Sequence, residues 1–181
     1  MATAFIAMAG YSGCYGVAIA DLCRKVGVSN RAYYQTFASK EECFVLGFDL
    51  LAEPLLDRAQ ARYQATKGPW EKRLAAGLTQ IMSELAADPA YARSCTLEAL
   101  HAGSDALAHL RAVIVRSQAL FECAGQLSSP KPLGGDPLCS MVVGAILGPM
   151  HGYLRADRAD RLPELVPGFV SFLAGVGGSR S

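Results

Sequence analysis

Residues 29 to 40 read SNRAYYQTFASK and bring together side chains that donate hydrogen bonds, among them Asn30, Arg31, Tyr34 and Gln35. A planar guanidinium and a carboxamide can read base edges in a major groove, and hydroxyl and amino groups can bind phosphates. The chemistry open to this segment is therefore recognition of a nucleic acid. On the residues alone, a solvated Arg31 and a half-buried Tyr34 on an ordinary helix are equally acceptable interpretations.

Catalytic residue patterns are missing from the sequence. The three histidines, at 101, 109 and 151, have no metal-ligand spacing, and neither a GxSxG motif nor a phosphate-binding glycine loop is present. The six cysteines, at 14, 23, 43, 95, 123 and 139, include no CxxC pair. Scattered cysteines in an apolar chain favour packing over a redox or metal role. We expect no enzyme, no cofactor and no metal site.

The composition is that of a packed, water-soluble chain. The 181 residues are 51% hydrophobic and 18% charged, which excludes a disordered protein, and the net charge of +1 gives no general attraction to nucleic acid. The apolar run MVVGAILGPM is too short to cross a bilayer, and the N-terminus lacks a secretion signal. These features predict a cytoplasmic protein without a membrane span.

The elements that position the polar segment are predicted to be helices. Strand alternation is almost absent, whereas helix starts recur at Asp88-Pro89, at Asp136-Pro137 and at the capping-box pair Ser39 and Glu42. Two apolar stripes recur at helical steps, which implies a bundle. One comprises Trp70, Leu74, Leu78, Ile81, Met82 and Leu85, and the other Leu107, Leu110, Ile114, Phe121 and Ala124.

Around the polar segment the spacing predicts a helix-turn-helix. Gly27 separates two short helical patterns, and Ser29 is placed to cap the second, over residues 29–37. At 100° per residue the apolar side chains Val28, Tyr33 and Phe37 face the first helix. The polar side chains face outward, namely Asn30, Arg31, Tyr34 and Gln35. Lys40 falls in the first turn of the next helix, where a phosphate is favoured.

The segment GVSNRAYYQTFASKEECF resembles the DNA-binding region of TetR-family transcriptional regulators, and the similarity extends over about residues 5 to 50. The resemblance implies an all-α homodimer, with a three-helix DNA-binding domain over 1–48 and a helical ligand-binding and dimerisation domain over 49–181. It further implies base-facing positions at Asn30, Arg31 and Ala32, and phosphate-facing positions at Tyr34, Thr36 and Lys40. With Ser29 and Gln35, these are the predicted DNA-binding residues.

The effector pocket is predicted less sharply. Trp70, Met82, Phe121 and Met150 are candidates for an apolar lining, and Glu98 and His101 for polar contacts to a ligand. Packing in the core is the more common role of the four apolar residues, and a solvated helix face explains Glu98 and His101 as easily as a ligand contact does. The apolar bias favours a small apolar effector.

Two further features concern assembly and motion. Gly144, Gly148 and Gly152 recur every four residues, and a row of glycines allows close approach of another helix. We expect a homodimer through helices near 137–157 and 163–176, with an irregular, kinked helix as the alternative. Pro54 interrupts a long helix near the expected domain junction and marks either a point of ligand-driven motion or a static bend.

The sequence thus predicts a ligand-responsive dimeric regulator, a repressor, that binds a palindromic DNA operator. Residues 1–50 contain four basic and four acidic side chains, so their net charge is zero. Few phosphates would be neutralised, and nonspecific binding should be weak. The alternative is a helical interaction protein of the same fold that has lost tight operator binding.

Overall fold

A computed structural model describes residues 1–120 and 137–178, and these ranges consist of helices and connecting turns without a strand. The predicted all-α fold is confirmed. The α-helices are α1 (Ala2–Ser12), α2 (Ile19–Val26), α3 (Asn30–Thr36), α4 (Lys40–Ala65), α5 (Trp70–Ala87), α6 (Pro89–Thr96), α7 (Ser104–Leu120), α8 (Pro137–Arg155) and α9 (Val166–Gly178). Short 3₁₀ helices cover Glu98–Leu100 and Ala159–Leu165.

Local capping explains where several helices begin. Asp88 accepts a hydrogen bond from the Tyr91 amide at 3.0 Å, and Pro89 occupies the first position of α6. Ser39 accepts from the Glu42 amide at 3.0 Å, while the Glu42 carboxylate accepts from the Ala38 amide at 2.6 Å. These contacts satisfy amides that a helix start leaves without partners. The predicted caps of α4 and α6 are confirmed, and residue 136 lies outside the described ranges.

The described chain divides into two compact units. The first comprises Met1–Pro54 and Asp88–Arg111, and the second Leu55–Ala87 and Ala112–Ser181. Along α4 the division falls directly after Pro54, the proline singled out in the sequence. The domain boundary expected after residue 48 stays a prediction.

In the first unit, α1 packs closely against α6. Gly10 lies so near Ala90 that a Cβ at residue 10 would overlap the Ala90 backbone. The fully buried Ser94 hydroxyl donates to the Ile6 carbonyl at 2.6 Å, across the same helix pair. These contacts fix the first helix of the predicted DNA-binding module on residues 88–96.

The segment after α6 also contacts the predicted DNA-binding module. The Glu98 carboxylate accepts from the Cys14 amide at 3.0 Å, and the Glu41 carboxylate accepts from the Asp105 amide at 3.1 Å. His109 Nδ1 lies 3.0 Å from a carboxylate oxygen of Asp49. Polar contacts between residues 60 or more positions apart therefore supplement the apolar core of this unit.

In the second unit, α5 supplies the predicted apolar stripe. Leu74, Leu78, Met82 and Leu85 are buried, whereas Trp70 and Ile81 are half-buried. This face packs on the 3₁₀ segment Ala159–Leu165 and on α9, and α8 packs on the same 3₁₀ segment. In the other predicted stripe Leu110 is buried and Leu107 half-buried. Phe121, Ala124 and the Ile114 side chain lie outside the described residues.

The described cysteines are packing residues. Cys14, Cys23, Cys43 and Cys95 are free and buried. Burial raises the pKa of the Cys14 thiol and that of the Cys43 thiol to about 11, so both stay protonated near neutral pH. Over residues 1–120 and 137–178, no group of His, Cys, Asp and Glu side chains could hold a metal ion. Nor does any described helix combine the length and apolar character that a bilayer span requires.

Candidate nucleic-acid interface

The turn between α2 and α3 depends on a glycine. Gly27 follows the last residue of α2 with φ 74° and ψ 31°, the left-handed conformation. Its amide and that of Val28 both donate to the Cys23 carbonyl, the latter at 3.0 Å. These bonds end α2 and turn the chain into α3 within three residues.

Because a Cβ at residue 27 would meet no atom within 4 Å among residues 1–120 and 137–178, the cost of replacing Gly27 is conformational rather than steric. We expect Gly27→Ala to lower the free energy of unfolding by about 1 kcal/mol. Gly27→Asn should cost clearly less, since asparagine tolerates the left-handed region better than alanine. Urea denaturation of both variants measures the difference, and equal losses would contradict this explanation.

Helix α3 is anchored at its start and along one face. Ser29 Oγ accepts from the Ala32 amide at 3.1 Å, the N-cap bond predicted from the sequence. Tyr33 is 1% exposed, its hydroxyl donates to the Ser39 carbonyl at 3.3 Å, and its ring lies 5.3 Å from that of Phe37. With Val28 half-buried, these residues hold a short helix that could not be stable alone.

The opposite face of α3 is open to solvent. Asn30, Arg31 and Gln35 are exposed, and Tyr34 is 66% exposed with its ring edge against Tyr33. The outward orientation predicted from the helical spacing is thus confirmed. Ala32 is half-buried between the two faces. The arrangement presents a guanidinium, two carboxamides and a phenol to a partner while the buried face keeps the helix in place.

Two side chains that are predicted to contact phosphates form hydrogen bonds within the protein. The Thr36 hydroxyl donates to the Ala32 carbonyl at 2.8 Å, so it must rotate before it can donate to a phosphate. Lys40 Nζ donates to the Tyr15 carbonyl at 3.2 Å, which leaves two of its three ammonium protons available. The contact also brings Lys40 next to the loop that precedes α2.

The end of α1 and the loop that follows it hold exposed tyrosines that the sequence reasoning missed. Tyr15 is 78% exposed and Tyr11, at the end of α1, is 76% exposed. A large aromatic that remains solvated in a unit with an ordinary core is available for a partner. The available sequence signal was the pair of tyrosines within YSGCYG, a short stretch rich in glycine and serine.

Similarity to known proteins is found in structure rather than in sequence. No family model matches the chain, and no curated protein matches its sequence. Among solved structures, the transcriptional regulator FadR from Bacillus subtilis, in complex with stearoyl-CoA, matches with a TM-score of 0.74 at 16% identity, covering 97% of this chain and 96% of that one. The fatty acid degradation regulator FadR from Bacillus halodurans gives 0.73 at 16%, with 96% of each chain covered.

The TetR family transcriptional regulator PfmR from Thermus thermophilus matches with a TM-score of 0.57 at 18% identity, covering 96% of each chain. The chain has the fold of TetR-family regulators. The family resemblance predicted from residues 5 to 50 is thereby confirmed at the level of the fold, over nearly the whole chain. These three solved structures are all of transcriptional regulators.

Within this TetR-like fold, the residues predicted to bind an effector fall in both compact units. Trp70, Met82 and Met150 belong to the second unit, where the two methionines are buried. Glu98 and His101 belong to the first, where Glu98 contacts the Cys14 amide and His101 Nδ1 lies 2.9 Å from the Leu97 carbonyl. Phe121 lies outside the described residues. The effector contacts stay a prediction.

Proposed function

We propose that this protein is a ligand-responsive, homodimeric transcriptional regulator of the cytoplasm, a repressor, that binds a palindromic operator through α3. The observation that carries the proposal is the two-sided α3: Tyr33 and Phe37 are buried, while Asn30, Arg31, Tyr34 and Gln35 are exposed on the other side. A helix fixed on one face and polar on the other is suited to enter a major groove.

Roles within the interface follow from side-chain chemistry. Asn30 and Arg31 lie in the first turn of α3 and would contact base edges, with Ala32 beside them and Gln35 one turn later. Ser29, Tyr34, Thr36 and Lys40 carry hydroxyl or ammonium groups and would contact phosphates. Tyr15 and Tyr11 are the candidates for further contacts outside α3.

The proposed dimer uses α8 and α9. Gly144, Gly148 and Gly152 of α8 are exposed, and a Cβ at each would meet no atom of the described residues within 4 Å. On α9, Phe172 is an exposed large apolar side chain, and a Cβ at Gly168 would likewise meet no atom within 4 Å in this part of the protein. Apolar helices with exposed small residues allow the close helix approach of a subunit interface.

The proposed effector is apolar over much of its length. The structurally similar FadR from Bacillus subtilis is bound to stearoyl-CoA, a thioester with a long apolar chain. In this protein α5 and α8 both bury methionine, a flexible side chain that adapts to apolar ligands. Trp70, Met82, Phe121 and Met150 would line the pocket, and Glu98 and His101 would supply polar contacts to the effector. Pro54 is the proposed point of transmission along α4.

Selection of binding sites from random double-stranded DNA with the purified protein tests the proposal. At about 50 mM salt we expect a palindromic consensus whose half-sites are separated by about one helical turn or a multiple of it. Because residues 1–50 carry no net charge, the affinity should fall only shallowly as salt rises. Recovery of no enriched sequence would contradict the proposal and favour the interaction protein of the same fold.

A further inference from the structure

The second unit contains a polar surface depression between α4 and α5 that the proposed function does not use. Its lining consists of Arg62 from α4 and Ala76, Thr79, Gln80 and Ser83 from α5. Thr79 and Ser83 are four residues apart and therefore lie one above the other on the same helix face. Ala76 is one turn before Gln80, and its small side chain leaves room in the depression.

Three donor groups around this depression are unpaired within the described part of the chain, whereas the fourth, the Gln80 side-chain amide, donates to Glu84. Among the described residues, the Arg62 guanidinium and the hydroxyls of Thr79 and Ser83 form no hydrogen bond or ion pair. The hydrogen bond between Arg62 and Thr66 involves the Arg62 backbone and not its side chain: the Arg62 carbonyl accepts from the Thr66 hydroxyl at 2.8 Å. A cation and two hydroxyls thus converge on one opening without partners inside the described protein.

The carboxylate beside the depression is already paired. Arg58, one turn before Arg62, donates to Glu84 through Nε at 2.7 Å and through a terminal nitrogen at 2.5 Å. Gln80 adds a third hydrogen bond to Glu84 at 2.8 Å. These bonds, the first from Arg58, hold the pKa of Glu84 below its usual value, so the carboxylate stays ionised and bound to Arg58. Because Glu84 is already paired with Arg58, the positive charge of Arg62 is available to a ligand.

We propose that the depression formed by Arg62, Thr79 and Ser83 is a binding site for a phosphate group. A tetrahedral phosphate offers three oxygens, enough to accept from a guanidinium fork and from two separate hydroxyls at once. The site is open to water, so it binds a free phosphate weakly and contributes most as the anchor for one part of a larger ligand. This inference is independent of DNA binding.

Titration with pyrophosphate at constant ionic strength tests the site, followed by ¹⁵N chemical shifts of the amides of residues 76–83 and by calorimetry. Arg62→Gln should weaken pyrophosphate binding about tenfold, because it removes a charge-assisted hydrogen bond. Ala76→Leu keeps the charge but fills the depression, and should weaken binding by a similar factor. Arg155→Gln, at the exposed end of α8, removes the same charge elsewhere and should leave binding unchanged.

Two results would overturn the proposal: no response of the amides of residues 76–83 to pyrophosphate, or equal weakening of pyrophosphate binding by Arg155→Gln and Arg62→Gln.

Comparison of inorganic phosphate with dodecyl phosphate identifies the kind of ligand that carries the phosphate group. If dodecyl phosphate binds more tightly than inorganic phosphate, and Arg62→Gln weakens its binding, the site holds the head group of an amphiphilic ligand. Equal binding of the two would assign it to a free phosphate compound. The titrations contain no DNA, so their outcome does not depend on whether the protein binds an operator.

Discussion

Replacing Arg31 by alanine is expected to lower operator affinity by about 10- to 100-fold, the range for loss of one bidentate contact to a base. Arg31 is exposed in the first turn of α3, where side chains of a recognition helix reach base edges. Its removal leaves the buried face of the helix intact, so the thermal unfolding midpoint should not change. Fluorescence anisotropy with the selected operator gives the affinity.

Loss of a positive charge anywhere on the protein would weaken DNA binding slightly. A control variant distinguishes this general effect from the loss of a contact to a base. Lys72→Ala removes an exposed positive charge from α5, in the second unit, and should change affinity less than about twofold at moderate salt. Arg31→Ala should also reduce discrimination between the operator and a half-site mutant, which a phosphate contact would not do. If Arg31→Ala and Lys72→Ala bind alike, Arg31 does not read bases.

Helix α3 and the turn before it could be predicted because their determinants are local. Gly27, Ser29 and the alternation of Tyr33 and Phe37 with polar residues all lie within eleven positions, and each specifies a turn, a cap or a buried face. The structure places all of them as predicted. The fold class follows for a similar reason, since caps and apolar stripes are repeated along the chain.

Contacts between distant parts of the chain could not be predicted in this way. The hydrogen bonds from Ser94 to Ile6 and from Cys14 to Glu98 join residues 88 and 84 positions apart. Nothing in the local sequence distinguishes Ser94 from a solvated serine, or Glu98 from a charge on an exposed helix face. The structure shows the Glu98 carboxylate accepting from the Cys14 amide, and the predicted ligand contact of Glu98 stays a prediction.

The residues predicted to bind an effector show a second limit of prediction from sequence. An apolar stripe on α5 predicts that Met82 is buried, and it is. The same periodicity carries no information on whether the neighbour of Met82 is another side chain or a bound molecule. The depression at Arg62 was missed because its donors come from two helices, and their alignment depends on how α4 and α5 pack.

Gly10→Ala is expected to lower the free energy of unfolding by about 3 kcal/mol, at the upper end of the cost of overpacking. Alanine is normally the better helix former, so a mid-helix glycine replaced by alanine should stabilise a protein by about 1 kcal/mol. Here the added Cβ would overlap the backbone of Ala90, which cannot move aside as a flexible side chain would. The helices α1 and α6 must separate, and the buried bond from Ser94 to the Ile6 carbonyl is strained or lost.

Thermal and urea unfolding measure this effect, and the exposed side of the same helix supplies the control. Thr3→Ala, at a solvent-exposed position of α1, should stabilise the protein by about 0.5 kcal/mol through helix propensity alone. Both substitutions introduce alanine, so helix propensity by itself would make both stabilising. The close contact of α1 with α6 instead predicts opposite signs, with Gly10→Ala strongly destabilising. If both variants were stabilised, α1 would not rest against Ala90. Helices α1 to α3, the predicted DNA-binding module, would then lack the packing of α1 on residues 88–96.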